Sequence, residues 1–292
     1  MKHFLLTSAI AALLVCSCTK VEDVIIPKPA SIEYLGGTTS SGVIPEMTTD
    51  ESLGSESYIL TIAKGKITIV SGDEAGAFYA LQSLDQLKRH YGKRIPSQVI
   101  NDKPRFPYRG VHLDVSRSFR DKDFVKKQLL MLSRLKMNRF HFHLTDGAGW
   151  RIEIKQYPEL TRVAAWRPQD LFPEWRKAGS KFSEEGAENA HGGYFTQDDI
   201  REIVAFADSL HITVIPEIEM FGHSMEVTTV YPHLACKEDA GSDVYCIGKE
   251  DTFEFLENVL DEVMELFPSE YIHIGGDEAS RRAWRNCPAC KA

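Results

Sequence analysis

The chain has 292 residues, 43% of them hydrophobic and 26% charged, an ordinary globular composition that excludes disordered and collagen-like classes and allows one large or two medium domains. Its 42 acidic and 34 basic residues leave a net charge of −8, and no basic stripe stands out. A nucleic-acid partner is therefore not expected.

The first eighteen residues, MKHFLLTSAIAALLVCSC, set Lys2 before an apolar run from Phe4 to Val15 that is too short to span a bilayer. This is the pattern of an export signal. Cys18 after Ser17 resembles the bacterial lipoprotein cleavage box, in which the new N-terminal cysteine carries a lipid anchor at a membrane or cell surface. An ordinary cleaved signal peptide is the alternative. Export permits disulfides. Cys236 and Cys246 bracket a short loop, and Cys287 and Cys290 form CPAC. CPAC alone lacks two further ligands at metal spacing, so a structural disulfide or no bond is expected for both pairs.

Residues 21–103 form one compositional unit. Turn-rich filler (GGTTSSG) precedes YILTIA, a Lys64-Gly65-Lys66 turn and ITIVSG, an alternation that predicts a hairpin. A helix is expected from Glu74 to about His90, its stripe made by Ala77, Ala80, Leu81, Leu84 and Leu87. The unit reads as a small α/β domain, bounded by the prolines at 104 and 107.

From Tyr108 onward, strands and helices alternate. Strands are expected at 110–115, 139–144, 213–218 and 271–274. The helices between them carry stripes at Val125, Leu129 and Leu132; at Ile200, Ile203, Val204 and Ala207 behind a Thr196–Asp199 capping box; and at Phe253, Leu256, Leu260, Val263 and Phe267. Such alternation implies a parallel sheet, either doubly wound or a (β/α)8 barrel. Each strand ends in ionisable groups: Asp114 and Arg117; His141, His143 and Asp146; Glu217, Glu219 and His223; Asp277 and Glu278. In a barrel those ends converge on one mouth. No GxGxxG follows the first strand, which disfavours a dinucleotide fold. The barrel is the favoured reading, and residues 104–292 supply its first four β/α units.

Two chemistries compete for this cluster. His141 and His143, two apart on a strand, could hold zinc together with Asp146, His223 and Asp277, or could simply bond to neighbouring strands. Alternatively, Asp277 and Glu278 could cleave a glycoside. Ordinary retaining enzymes place two carboxyls about 5 Å apart across the sugar, and adjacent residues do not meet that easily because their side chains diverge. They suit a substrate that brings its own nucleophile, a 2-acetamido oxygen. One carboxyl then protonates the leaving oxygen while the other holds the acetamide N–H. Gly275 and Gly276 would let the backbone bend there. The plainer reading of the pair is acids at a helix N-terminus.

Four motifs in order, RGVHLDVSR (109–117), FHFHLTDGAGWRIEI (140–154), PEIEMFGHS (216–224) and HIGGDE (273–278), resemble the family 20 glycoside hydrolases, the β-N-acetylhexosaminidases. The resemblance covers nearly all of residues 105–292, and the segment before it resembles the family's small N-terminal domain. It implies a (β/α)8 barrel with retaining, substrate-assisted hydrolysis of terminal β-linked N-acetylglucosamine or N-acetylgalactosamine through an oxazolinium intermediate. Glu278 is then the general acid and base, in a partly desolvated pocket beside Asp277. Asp277 orients the acetamide, Arg117 holds sugar hydroxyls, and Asp146 and His223 support Glu278. No cofactor or metal is implied. The partners would be N-acetylhexosamine-terminated glycans, with a membrane contact only through the lipid on Cys18.

Several positions depart from the family pattern. Gly147 and Ala148 stand where it has a carboxylate and an amide, Phe221 where it has proline, and Ser118 where it has histidine. Altered loop shape or substrate contacts are expected from these. The filler at 35–54 is expected to replace a strand and helix of related domains. Four β/α units are also half a barrel, which leaves strand edges bare, so the 292 residues are expected to be an incomplete copy of an active parent. An inactive carbohydrate-binding lipoprotein, or a zinc-dependent hydrolase, is the alternative.

Overall fold

The computed structural model describes residues 22–238 and 241–292; the expected export signal and Cys18 lie outside them. Among the described residues, no helix is long and apolar enough to cross a membrane.

The first unit is a five-stranded sheet carrying one helix. Its strands β1 (Ser31–Ser40), β2 (Glu46–Thr49), β3 (Tyr58–Ala63), β4 (Lys66–Ser71) and β5 (Arg94–Asp102) lie in the order β1-β5-β3-β4-β2. The alternation in β3 and β4 sends Tyr58, Leu60, Ile62, Ile67 and Ile69 to one face. There they meet Tyr79, Ala80, Leu84 and Leu87 of α1 (Glu74–Tyr91) in a single core. Asp73 caps that helix by accepting from the Gly76 N–H at 2.7 Å.

One expectation needs correction here, and one strand was not expected. The turn-rich filler is not a substitute for structure: it forms the second half of β1, and β2 follows it. Both are edge strands with almost no buried side chain, so no apolar alternation marks them. Strand β5 was hidden by Pro96, which cannot donate to a ladder. Pro96 lies outside the Gln98–Asp102 span that β3 uses, beside the bulge in β1.

The second unit alternates β6 (Gly110–Asp114), α2 (Lys122–Arg134), β7 (Arg139–His143), α3 (Gln197–Asp208), β8 (Thr213–Glu217), α4 (Met225–Val230) and α5 (Glu250–Leu266). The three strands are parallel and neighbour one another in chain order, β6-β7-β8. That is the sequence of a barrel wall, without the order reversal of a doubly wound sheet. Residues 271–274 do not form a full strand. They run parallel to β8 through one bridge, His273 to Glu217, with hydrogen bonds on that side only. Tyr271 and Ile274 are 64% and 49% exposed, so the segment lacks the covered face that would flatten it into a strand.

Helices α2, α3 and α5 bury Leu129, Ile203, Phe255 and Val263 in one cluster with Phe140, Phe142 and Val214 of the strands. In α5 and its C-cap the expected Leu256, Val263 and Phe267 are buried and Leu260 packs against the same core, joined by Phe255, Val259 and Leu266, whereas the expected Phe253 is 38% exposed. The two units are joined by charged contacts. Lys136 donates to Asp102 at 2.9 Å and to the Tyr58 hydroxyl at 2.8 Å, and Arg109 pairs with Glu56 at 2.8 Å.

The capping box at the start of α3 is present in both directions: Thr196 Oγ1 accepts from the Asp199 N–H, and the Asp199 carboxylate accepts from the Thr196 N–H. Thr196→Ala should cost about 1 kcal/mol, read as a lower denaturant midpoint at an unchanged slope.

Candidate active site

The strand ends of the second unit carry one continuous polar network. Glu217, at the end of β8, is 4% exposed and serves as its acceptor. His141 donates to Glu217 Oε2 at 2.7 Å, His143 Nδ1 contacts the same oxygen, and His273 Nδ1 lies 2.8 Å from Oε1. Burial opposes charge on Glu217, but the hydrogen bonds from His141 and His143 prevail and hold its carboxyl well below the usual range. Burial likewise opposes charge on His143, yet its bonds to Asp146 and Glu217 push it up to about 10. The two histidines that could have held a metal therefore both direct a ring nitrogen at a carboxylate.

The next layer contains the expected site residues. Arg117 Nη2 pairs with Asp146 Oδ2 at 2.6 Å, and Nη1 with Asp114 at 3.0 Å. Asp114 also accepts from the Ser116 and Arg117 N–H groups, which fixes the turn after β6. On the other side of Asp146, His223 Nδ1 lies 3.7 Å from Oδ1. His223 Nε2 faces Asp277 at 3.4 Å and Glu278 at 3.5 Å. Arg117, Asp146, His223, Asp277 and Glu278 thus form one chain of contacts drawn from four separate loops.

The expected desolvated pocket around Glu278 is absent among the described residues. The Glu278 side chain is 81% exposed and that of Asp277 is 67% exposed. Their loop is attached to the sheet along one side only, by β8. Backbone strain marks the same place: Phe221, His223 and Glu278 are non-glycine residues at φ +71°, +44° and +48°, conformations that cost energy and gather at working sites. At +71° position 221 is closed to proline, so the departure there changes loop shape. A Cβ added at Gly147 would stand 3.2 Å from Asp243 Oδ1, so a carboxylate from another loop occupies the space beside that departure.

Several residues at the site were not assigned a role from sequence. Glu219 is 2% exposed. Its N–H donates to Thr145 Oγ1 at 2.8 Å, and its carboxylate accepts from the Gly276 N–H at 3.3 Å. Gly275, at φ +62°, has no room for a side chain, since a Cβ would overlap the Glu219 carboxylate. Glu226 and Tyr245 lie buried beneath, each with an unpartnered oxygen, and burial raises both well above their ordinary ranges. The alternation in PEIEM signalled Glu219; nothing near the start of α4 signals Glu226. The cysteines carry no bond, one of the two expected outcomes, but the two pairs meet, which was not expected. Cys236, Cys246, Cys287 and Cys290 are all free thiols, and the closest sulfur contacts run between the two pairs rather than within them.

Residues 106–292 match the model for the glycosyl hydrolase family 20 catalytic domain, and residues 38–103 match that for domain 2 of the same family. The chain belongs to glycosyl hydrolase family 20. It is similar to a β-hexosaminidase of Porphyromonas gingivalis, 39% identical over 257 residues, a span covering 82% of this chain and 31% of that relative. Among solved structures, a β-N-acetylhexosaminidase from Bacteroides fragilis superposes with a TM-score of 0.78 at 34% identity, over 92% of this chain and 59% of that one. An exo-β-N-acetylglucosaminidase from Vibrio harveyi in complex with N-acetylglucosamine superposes at 0.80 with 30% identity, over 92% and 49%. The chain therefore spans well under half of the curated relative and about half of these family 20 structures. The family architecture is a (β/α)8 catalytic barrel preceded by an α/β domain, and the β6-β7-β8 wall is part of that barrel.

Glu219 sets a testable pH dependence. Burial, reinforced by the charges of Asp277 and Glu217 and opposed by the Gly276 N–H, raises its carboxyl from 4.5 to about 7. Between those values the folded chain keeps a proton that the unfolded chain has released. Its stabilising contribution is complete below pH 4.5 and is lost as pH rises through 7. Glu219→Gln should remove this fall, so that the difference in melting temperature between the two proteins grows from pH 4.5 to 7 in favour of the variant. A pH-independent difference would contradict the assignment.

Proposed function

We propose that this site hydrolyses terminal, non-reducing β-linked N-acetylglucosamine or N-acetylgalactosamine with retention, using the substrate's own acetamide as nucleophile. The observation that carries the reading is the placement of Asp277 and Glu278 side by side on one loop, both facing His223. Adjacent carboxylates on one loop do not flank a sugar from opposite faces, as an enzymic nucleophile and acid must. Support comes from the family and from the N-acetylglucosamine in the Vibrio harveyi structure.

In this reaction the acetamide oxygen attacks the anomeric carbon while Glu278 gives its proton to the glycosidic oxygen, which leaves as an alcohol. Asp277 accepts a hydrogen bond from the acetamide N–H and offsets the positive charge of the oxazolinium ring. Water then attacks the same carbon, Glu278 takes its proton, and the ring opens to the amide. His223, held from behind by Asp146, steadies both acids. Arg117, anchored by Asp114 and Asp146, offers its remaining donors to sugar hydroxyls.

The test is turnover of a chromogenic N-acetylglucosaminide by the protein in its full natural reading frame. Glu278→Gln should lower kcat on the order of 100- to 10,000-fold with sugar binding retained, and the matching glucoside, lacking the acetamide, should not be cleaved. Cleavage of the glucoside at a comparable rate would overturn the substrate-assisted step. We also infer export and lipid anchoring at Cys18, on the residue pattern alone. Cys18→Ala should move the protein from the membrane to the soluble fraction on cell fractionation, and an unchanged membrane association would refute the anchor.

A further inference from the structure

The four cysteines outside the candidate active site meet at one point. Cys246 Sγ lies 3.7 Å from Cys287 Sγ and 3.5 Å from Cys290 Sγ, and Cys290 Sγ lies 3.7 Å from Cys236 Sγ. All four sulfurs fall within 4.8 Å of one another. Cys246 and Cys290 each touch two others, so pairing Cys236 with Cys290 and Cys246 with Cys287 would leave the shortest contact, Cys246 to Cys290, unexplained. A tetrahedral zinc with Zn–S bonds of about 2.3 Å sets its sulfurs about 3.8 Å apart, close to the separations found.

The surroundings treat the thiols unequally: burial raises Cys236 and Cys290, whereas a backbone donor lowers Cys287. The backbone N–H of Cys290 donates to the Cys287 sulfur and, ahead of burial and the neighbouring thiols, brings Cys287 down to about 7. The N–H of Gly248 donates to the Cys290 sulfur. Gly248 is itself constrained, because a Cβ there would overlap the Ala289 carbonyl, so the CPAC turn rests directly on backbone. Cys236, Cys246 and Cys287 are buried and Cys290 is partly so, with Ala283 and Trp284 packed against them.

We propose that Cys236, Cys246, Cys287 and Cys290 form a structural site for one divalent ion of the zinc type. Each thiol gives its proton to solvent as its sulfur joins the ion. Four thiolates fill the coordination sphere and leave no position for water or substrate, as befits a site that holds structure rather than catalyses. Soft sulfur donors in a tetrahedron select zinc over magnesium or calcium. The ion would tie residues 236–246 to the short helices that follow Glu278, adding to the hydrogen bond from Trp284 Nε1 to the Tyr245 carbonyl at 2.7 Å and to the Gly248 contact. It would thereby fix the downstream end of the loop that carries Asp277 and Glu278.

The experiment uses the full chain, purified without chelator, and reads metal content and spectra rather than activity. One zinc per chain is expected, and cobalt(II) alone, added after zinc removal, should give thiolate charge-transfer bands and the visible bands of a tetrahedral ion. Zinc removal should lower the melting temperature, and adding zinc back should restore it. Cys290→Ser, at the least buried position, should lose the ion while keeping the wild-type far-ultraviolet circular dichroism. Should that variant fail to fold, the spectra of the wild-type chain decide. Zinc at background level, cobalt bound without thiolate bands, or a mass showing the four cysteines joined as disulfides would each overturn the proposal.

Discussion

Asp146 is a charge that the fold can bury only under strict conditions. Its side chain is 6% exposed, and an ionised carboxylate withdrawn from water is kept only where partners replace the lost solvation. Arg117 at 2.6 Å is the main partner, with His143 at 3.3 Å and His223 at 3.7 Å. Each comes from a different strand end, so Asp146 fixes three loops relative to one another. Removing one member of such a group leaves the others buried without compensation, at about 3–5 kcal/mol. The geometry of the site is therefore a consequence of electrostatic necessity as much as of packing.

The same network separates two kinds of carboxylate. Glu217 is buried and stays ionised, because His141 and His143 supply charge-assisted donors. Glu219, two residues further along the same chain, has one weak donor in the Gly276 N–H and the charges of Glu217 and Asp277 close by, and it holds its proton to about 7. Neighbouring carboxyls with opposite environments are the arrangement by which one site combines fixed charge with a titrating group. Glu219 also fills the space that a side chain at Gly275 would need. The shape of the HIGGDE loop and the protonation of Glu219 are thus one problem with one solution.

What could be read from residues alone follows from where periodicity is strong. Strands β3, β4, β7 and β8 and helices α1 to α3 carry buried faces, and burial imposes alternation or helical spacing on the chain. Strands β1 and β2 bury almost nothing, so solvent leaves their sequence free and they read as filler. The segment 271–274 alternates like a strand but is bonded on one side only, and the sequence pattern carries no information about whether a neighbour is present. At the site, the adjacency of Asp277 and Glu278 was legible because it is local. The burial of Glu226 and Tyr245 was not, because it depends on loops more than fifteen residues apart closing over them. The cysteines show the limit most clearly: CPAC has the spacing of half a metal site, and its other half lies about forty residues upstream in a loop whose own spacing suggests a ring.

Those cysteines also bear on how an exposed loop can place two acids accurately. The upstream end of the 275–280 segment is fixed by the His273 bridge to β8 and by the Glu219 contact beneath Gly275. The downstream end runs into two four-residue helices, Arg282–Arg285 and Pro288–Lys291, and helices that short have little stability of their own. Trp284 and the cysteine cluster bind them to the 236–246 loop, and Tyr245 in that loop donates its N–H to the Phe221 carbonyl at 3.0 Å, two residues from His223. A tether at the cysteines therefore reaches Glu278 by two routes, along the chain and through His223. Strained residues at 221, 223 and 278 need such over-determination to persist.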